Sequence, residues 1–211
     1  IMSFCIYGFG STGKSAAKYL KSKNFHNVNI WDDKKKTKTE KKFFLKYLDS
    51  CDYIVLSPGI NLKKSKLKNK LLRHKHKIIT DLDLFYLFNP NIRSIVITGT
   101  NGKSTTCKIL EHVLKKNRIN VKLGGNIGKP VLNLKLSNRP VVIIEASSFQ
   151  LAYSKYIKPN YAAILNITKD HLDWHGTMKE YINSKLKVFS NQKSGDFAFL
   201  NNQYLIKKFK K

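Results

Sequence analysis

Lys103, Ser104 and Thr105 close the stretch SIVITGTNGKST (residues 94–105), an apolar run followed by a glycine-containing turn and the opening of a helical pattern. A lysine and a hydroxyl after such a turn are the parts of a phosphate-binding loop. Backbone amides of the turn would cradle phosphate oxygens, Lys103 would neutralise their charge, and Ser104 would reach a Mg²⁺ ion. The loop is short: the position where the usual spacing wants a further glycine is Ile97, inside the apolar run. On its own the stretch reads as a degenerate nucleotide loop, a chance match, or the mark of a particular kind of ATP enzyme.

Two downstream segments favour chemistry. VIIEASSFQ places Glu145 at the end of a buried strand pattern, where parallel α/β sheets present functional groups, and a carboxylate there suits a metal ion beside a phosphate loop. NITKDHLDWHG brings Asp170, His171, Asp173 and His175 into one short run. That run suits either a transition-metal site or, more economically, one or two Mg²⁺ contacts with helix capping. A second glycine loop lies near the N-terminus. YGFGSTGKS carries Gly8, Gly10 and Gly13 in full G-x-G-x-x-G spacing, and Asp32 and Asp33 end the next strand pattern where a dinucleotide fold keeps its ribose-binding acid. Read alone it suggests a dehydrogenase, a nucleoside-diphosphate site of another kind, or a glycine turn that only lets helix and strand pack.

The elements that must hold these residues alternate along the whole chain. Strand patterns at 3–9, 27–32, 52–59 and 77–80 are interleaved with helical spacing at 13–23, 39–48 and 64–75, and DLDLFYLF (81–88) reads as a short helix with Asp81 at its N-cap. NPNIR (89–93) is a polar, proline-containing linker. A second series follows: SIVIT, a helix from Lys103 to about Lys116, then NVKLGG, PVVIIEAS, YAAILNIT, a helix near 177–190 and FAFL. The expectation is a parallel α/β protein of two domains, a Rossmann-like one over 1–91 and a P-loop-type ATPase domain, incomplete, over 92–211.

The formal charge of +27 admits a nucleic-acid or anionic-membrane binder. However, the excess is nearly all lysine, and the densest runs (34–42 and 62–77) lack interleaved aromatics for base stacking, so solvated helix faces explain them. Cys5, Cys51 and Cys107 share no metal-ligand spacing and fit reduced thiols of a cytoplasmic protein. No apolar run approaches membrane-spanning length and no signal-peptide pattern opens the chain. A salt-sensitive nucleic-acid module and a nicotinamide-dependent oxidoreductase stand as alternatives, and the second leaves the loop at 99–105 unexplained.

ITGTNGKST, GGNIG, EASSFQL, NITKDHLDWHG and YINSKLKVF, in this order and spacing, resemble the Mur ligases of peptidoglycan synthesis, in which the short loop is normal. Within that family the GKST ending, the SSFQL box and the GFGSTGKS opening are most similar to the members that add D-glutamate. Later amino-acid-adding members and folylpolyglutamate synthase share the loop and DHLD regions but differ in the Ser-Ser-Phe-Gln box. The resemblance implies a cytoplasmic ATP-dependent ligase that phosphorylates the carboxylate of UDP-N-acetylmuramoyl-L-alanine, after which the amine of D-glutamate attacks the acyl phosphate. It implies that Gly99 to Thr105 hold the ATP phosphates, that Ser104 and Glu145 bind one Mg²⁺, and that His171 binds a second. Lys185 would be carried as a carbamate beside the metals. Asn126 and Ser147 would lie against substrate. Gly10, Ser11, Thr12, Asp32, Asp33, Lys34 and Gly59 would take the UDP moiety, with Lys34 standing where the family often has Arg. Known members continue into a third domain for the incoming amino acid, which is expected as a further part of the same protein.

Overall fold

The computed structural model describes residues 2–34 and 38–201. Part of the lysine run at 34–42 and the final LIKKFKK lie outside the described residues.

Short apolar runs become the strands of two parallel sheets. The first sheet has the order β2-β1-β3-β4, from β1 (Phe4–Tyr7), β2 (Val28–Trp31), β3 (Tyr53–Leu56) and β4 (Ile78–Ile79). The second has the order β6-β7-β5-β8-β9, from β5 (Ser94–Thr98), β6 (Val121–Gly125), β7 (Val141–Glu145), β8 (Tyr161–Ile164) and β9 (Phe197–Leu200). β1, β3, β5 and β7 are almost wholly buried, which is why they read as unbroken apolar runs rather than alternating ones. The helices are α1 (Ser11–Ser22), α2 (Lys38–Ser50), α3 (Lys68–Arg73), α4 (Asp81–Phe88), α5 (Lys103–Lys116), α6 (Ser148–Tyr153), α7 (Leu172–His175) and α8 (Met178–Leu186).

One hydrophobic cluster crosses between the sheets. Phe4 and Ile6 of β1, Leu82 and Phe85 of α4, and Val96, Val142 and Ile144 of the second sheet are buried together in it. The polar seam beside it is fully paired: Thr80 Oγ1 lies 2.8 Å from Ser154 Oγ, and Asp83 Oδ1 accepts from the backbone amides of Lys155 and Tyr156 at 2.8 and 2.7 Å.

Two local expectations change. Thr80, not Asp81, caps α4: its side chain accepts from Asp83 N, and the Asp83 carboxylate accepts from Thr80 N, a reciprocal capping box. Asp81 is the first helical residue and is buried; burial raises its carboxyl to about 6, and Gln150 Nε2 donates to it at 3.0 Å. The helix expected at 64–75 contracts to α3 and a 3₁₀ turn at Lys75–Lys77, because Leu62, Leu67 and Leu71 turn inward while the intervening lysines stay outside.

Candidate active site

β5 sits between β7 and β8, so the loop that leaves its C-terminal end is flanked by the ends of both neighbours. Gly102 enters α5 at φ 81°, a left-handed conformation that glycine adopts without strain. The loop is stitched to the segment after β8. Thr100 N donates to Asn166 O at 3.0 Å, Asn101 N to Asn166 Oδ1 at 2.9 Å, and Thr168 N to Thr100 Oγ1 at 3.0 Å. Lys103 folds back over this frame, its Nζ donating to Gly99 O at 3.0 Å and Thr100 O at 2.8 Å. Both are backbone acceptors, so an anion placed at the loop would compete for a cation already aimed there.

Ser104 and Glu145 meet across the sheet: Ser104 Oγ donates to Glu145 Oε2 at 2.7 Å. Asn126 Nδ2 donates to Glu145 Oε1 at 2.8 Å, and Asn126 N donates to Glu145 O at 2.8 Å. The glycines of GGNIG make this possible. A Cβ on Gly125 would stand 2.3 Å from Glu145 O, so only glycine lets β6 run this close to β7. Glu145 is 2% exposed, a buried carboxylate whose partners are a hydroxyl and an amide. A hydroxyl and a carboxylate oxygen within 2.7 Å of each other are hard donors that fit one Mg²⁺.

Lys185 is not a surface lysine. It is 1% exposed, donates to Gly99 O at 2.8 Å and lies 4.7 Å from the centre of the Tyr181 ring. Burial, and then the charge of Lys103, pull its amine down to about 7. Tyr181, one turn earlier on the same face of α8, places its hydroxyl 3.0 Å from Thr100 Oγ1, so a single helix face grips the loop twice. Tyr181 is a residue that the sequence reading passed over; its spacing of one helical turn from Lys185 is the signal that would have found it.

The run from Asp170 to His175 divides. His171 is exposed, at φ 50°, with its ring 3.3 Å from Asp170 Oδ2. Asp173 is also exposed, whereas His175 is buried, stacked on Phe149, with Nε2 3.0 Å from Ser148 Oγ. Burial and the neighbouring His171 and Lys185 push His175 down to about 4, which keeps it neutral. His175 thus turns inward to Ser148 while His171 and Asp173 stay at the surface, and among the described residues no group of three or more His, Cys, Asp or Glu side chains is placed to hold a metal ion.

Ser147 caps α6. Its Oγ accepts from Gln150 N at 3.2 Å, while Gln150 Oε1 accepts from Ser147 N at 3.1 Å. Gln150 then reaches Asp81, so the SSFQ box also ties the second sheet to α4. Gln150 was not singled out in the sequence; a serine three residues before a glutamine is a capping-box spacing, the signal that would have found it.

At the first glycine loop, the segments carrying Gly10 to Thr12, Asp32 to Lys34 and Gly59 follow the C-terminal ends of β1, β2 and β3, which are neighbours in the sheet. Gly8, at φ 94°, and Gly13 are fixed by packing: a Cβ on Gly13 would stand 1.9 Å from Gly8 O. A Cβ on Gly10 or Gly59 would meet nothing within 4 Å. Asp32 braces the loop, accepting from Phe9 N at 2.7 Å and from Lys34 N at 2.9 Å. Asp33 accepts from Tyr7 OH at 2.6 Å and Trp31 Nε1 at 2.8 Å. Ser11 and Lys34 are exposed and Thr12 is half-buried.

Comparison with known proteins bears on both halves. The Mur ligase middle domain matches residues 97–211. The UDP-N-acetylmuramoylalanine–D-glutamate ligase of Aquifex aeolicus is 38% identical over 209 residues, 98% of this chain and 49% of that protein. The protein of the same name from Rickettsia prowazekii is also 38% identical, over 97% of this chain and 48% of its own length. This chain thus spans about half the length of the curated relatives it matches. Among solved structures, UDP-N-acetylmuramate:L-alanyl-gamma-D-glutamyl-meso-diaminopimelate ligase from Neisseria meningitides superposes with a TM-score of 0.59 at 18% identity, covering 100% of this chain and 75% of that one. UDP-N-acetylmuramate-alanine ligase from Thermotoga maritima gives 0.52 at 20% identity, covering 96% and 50%. These structural likenesses speak to the two-sheet fold. With the middle-domain match spanning more than half of its residues, the chain belongs to the Mur ligase family.

Proposed function

We propose that this chain carries the UDP-substrate and ATP sites of a cytoplasmic ligase that joins D-glutamate to UDP-N-acetylmuramoyl-L-alanine. Residues 1–91 take the UDP moiety and residues 92–211 take ATP. The observation that supports it most is the convergence on one loop of Lys103, the Ser104–Glu145 pair and the buried Lys185. The D-glutamate assignment draws on the relatives that bear that name.

In this reading the amides of residues 99–105 and the ammonium of Lys103 bind the ATP phosphates and stabilise the charge that develops as the γ-phosphoryl group passes to the substrate carboxylate. Ser104 and Glu145 would hold one Mg²⁺, and His171 with the carbamate form of Lys185 a second, and the ions would supply electrostatic stabilisation of the phosphate oxygens. Asn126 holds the Glu145 carboxylate and, with Ser147 and His171, faces the acyl-bearing end of the substrate. The D-glutamate amine attacks the acyl phosphate, phosphate departs, and an amide remains. Lys185 is the group with the most specific requirement. Its lowered basicity leaves free amine near neutral pH, and reaction with CO₂ forms an N–C bond with loss of a proton, replacing a repelled cation with an anion. This chain is not expected to complete the reaction without the third domain, so the test, made on the protein together with that domain, is phosphate release from ATP in the presence of UDP-N-acetylmuramoyl-L-alanine. Release that depends on D-glutamate is expected, whereas release with another amino acid in its place, or with a folate acceptor, would move the assignment elsewhere in the family.

A further inference from the structure

Two cavities lie away from both glycine loops. One, of about 550 Å³, opens between the C-terminal half of α1 and the segment after β6, and the other, of about 520 Å³, continues past the α4–β5 connection. They share Asn89 and Leu136, so they form one groove. Its lining carries Lys18, Lys23, Lys129, Lys135, Arg93 and Arg139 and no carboxylate. All six cations are exposed, and among the described residues none of them forms an ion pair. The floor is apolar, with Leu132 buried and Leu134 and Leu136 half-buried. The lysine-dense run at 62–77 contributes nothing here, so the groove is not a by-product of the most basic sequence.

We propose that this groove is a docking site for an acidic amphipathic peptide segment of a partner protein. A basic rim over a leucine floor is complementary to a segment that presents leucines inward and carboxylates outward. Nucleic acid fits less well. The one aromatic side chain in the lining, Tyr19, is already engaged: its hydroxyl accepts from Asn89 Nδ2 at 3.0 Å and its ring packs edge-on against Phe88. Occupation of the groove would bridge α1 and the segment leading from Asn126, elements that start at the two proposed ligand sites.

The experiment is fluorescence anisotropy on the full chain with a labelled synthetic peptide repeating Glu-Leu-Glu-Glu-Leu-Leu-Glu. The same titration uses a scrambled peptide of equal composition, an oligo-dT strand and phosphatidylglycerol vesicles. Two exposed rim reversals, Lys129→Glu with Lys135→Glu, should weaken the repeating peptide by about tenfold while leaving the thermal midpoint in place. Lys46→Glu with Lys68→Glu, equal in charge but outside the groove, should leave its affinity unchanged, and the scrambled peptide should bind more weakly. Equal weakening by the two pairs of substitutions would overturn the proposal, because net charge alone would then explain binding. So would an oligonucleotide or vesicle that binds more tightly than the peptide and loses more affinity to the rim reversals.

Discussion

The two glycine loops look alike in the sequence and differ in what holds them. In the first, Gly8 and Gly13 answer to the chain itself, since the start of α1 packs directly on the Gly8 carbonyl and a side chain at Gly13 would occupy the same space. Gly10, between them, has φ −74° and open space where a Cβ would go, so nothing in the protein demands glycine there. The second loop is held by side chains. The side chains of Thr100, Lys103, Asn166, Tyr181 and Lys185 all hydrogen-bond or stack around it, and a Cβ on Gly102 would come no nearer than 3.7 Å to Leu165. Glycine spacing therefore reports helix–strand packing as readily as phosphate binding. At the first loop the two requirements fall on different residues: packing fixes Gly8 and Gly13, and Gly10 is left open to a ligand.

The largest effect that would break this comparison is at the second loop. Lys103→Ala should lower ligase turnover by roughly 10²–10³-fold, about 3–4 kcal/mol of lost stabilisation of developing charge. Lys103→Arg should not restore it, because a planar guanidinium is a poor replacement for a compact ammonium curled over two carbonyls. Near-normal turnover in either variant would put the chemistry elsewhere.

Lys185 sharpens the same side of the comparison through its proton. Its amine is depressed to about 7 from an ordinary 10.5, so between those values the unfolded chain binds more protons than the folded one. Folding stability should then rise as pH climbs through that window, and the penalty of burying the cation should be fully present below it. Urea unfolding of the wild type against Lys185→Met, compared at the two ends of the window, reads this difference; a difference independent of pH would contradict it.

Gly13→Ala and Gly10→Ala form the stability pair. Despite alanine's better helix propensity, Gly13→Ala should destabilise by about 1–3 kcal/mol, the range for forced overpacking. Gly10→Ala should be near neutral, since its Cβ meets nothing. A thermal melt of each variant decides it, and equal losses would erase the distinction between the two glycines.

Most of the architecture was legible because buried parallel strands are short apolar runs with turn residues after them, and the nine strands among the described residues all lie within such runs. The N-cap of α4 was misplaced by one residue because Thr80 and Asp81 are both good caps, and only the reciprocal bond to Asp83 chooses between them. The Ser104–Glu145 meeting could be anticipated from a loop and a strand end. Its closeness depends on Gly125, whose role needs the register between β6 and β7. The burial of Lys185 could not be read from a helix rich in polar residues, since it follows from how α8 lies over the loop. The Asp81–Gln150 bond joins residues far apart in the chain, and no local pattern pairs them.

The central claim is that the two loops hold two different phosphate groups. Calorimetric titration of ADP and, separately, of UDP-N-acetylmuramoyl-L-alanine into the protein and its Gly10→Val and Lys103→Ala variants tests it most directly. The account predicts that Gly10→Val, by putting a branched side chain where a diphosphate must approach backbone, weakens the UDP ligand and spares ADP, and that Lys103→Ala does the reverse. Loss of ADP with retention of the UDP ligand in Gly10→Val, or loss of both ligands in one correctly folded variant, would contradict it.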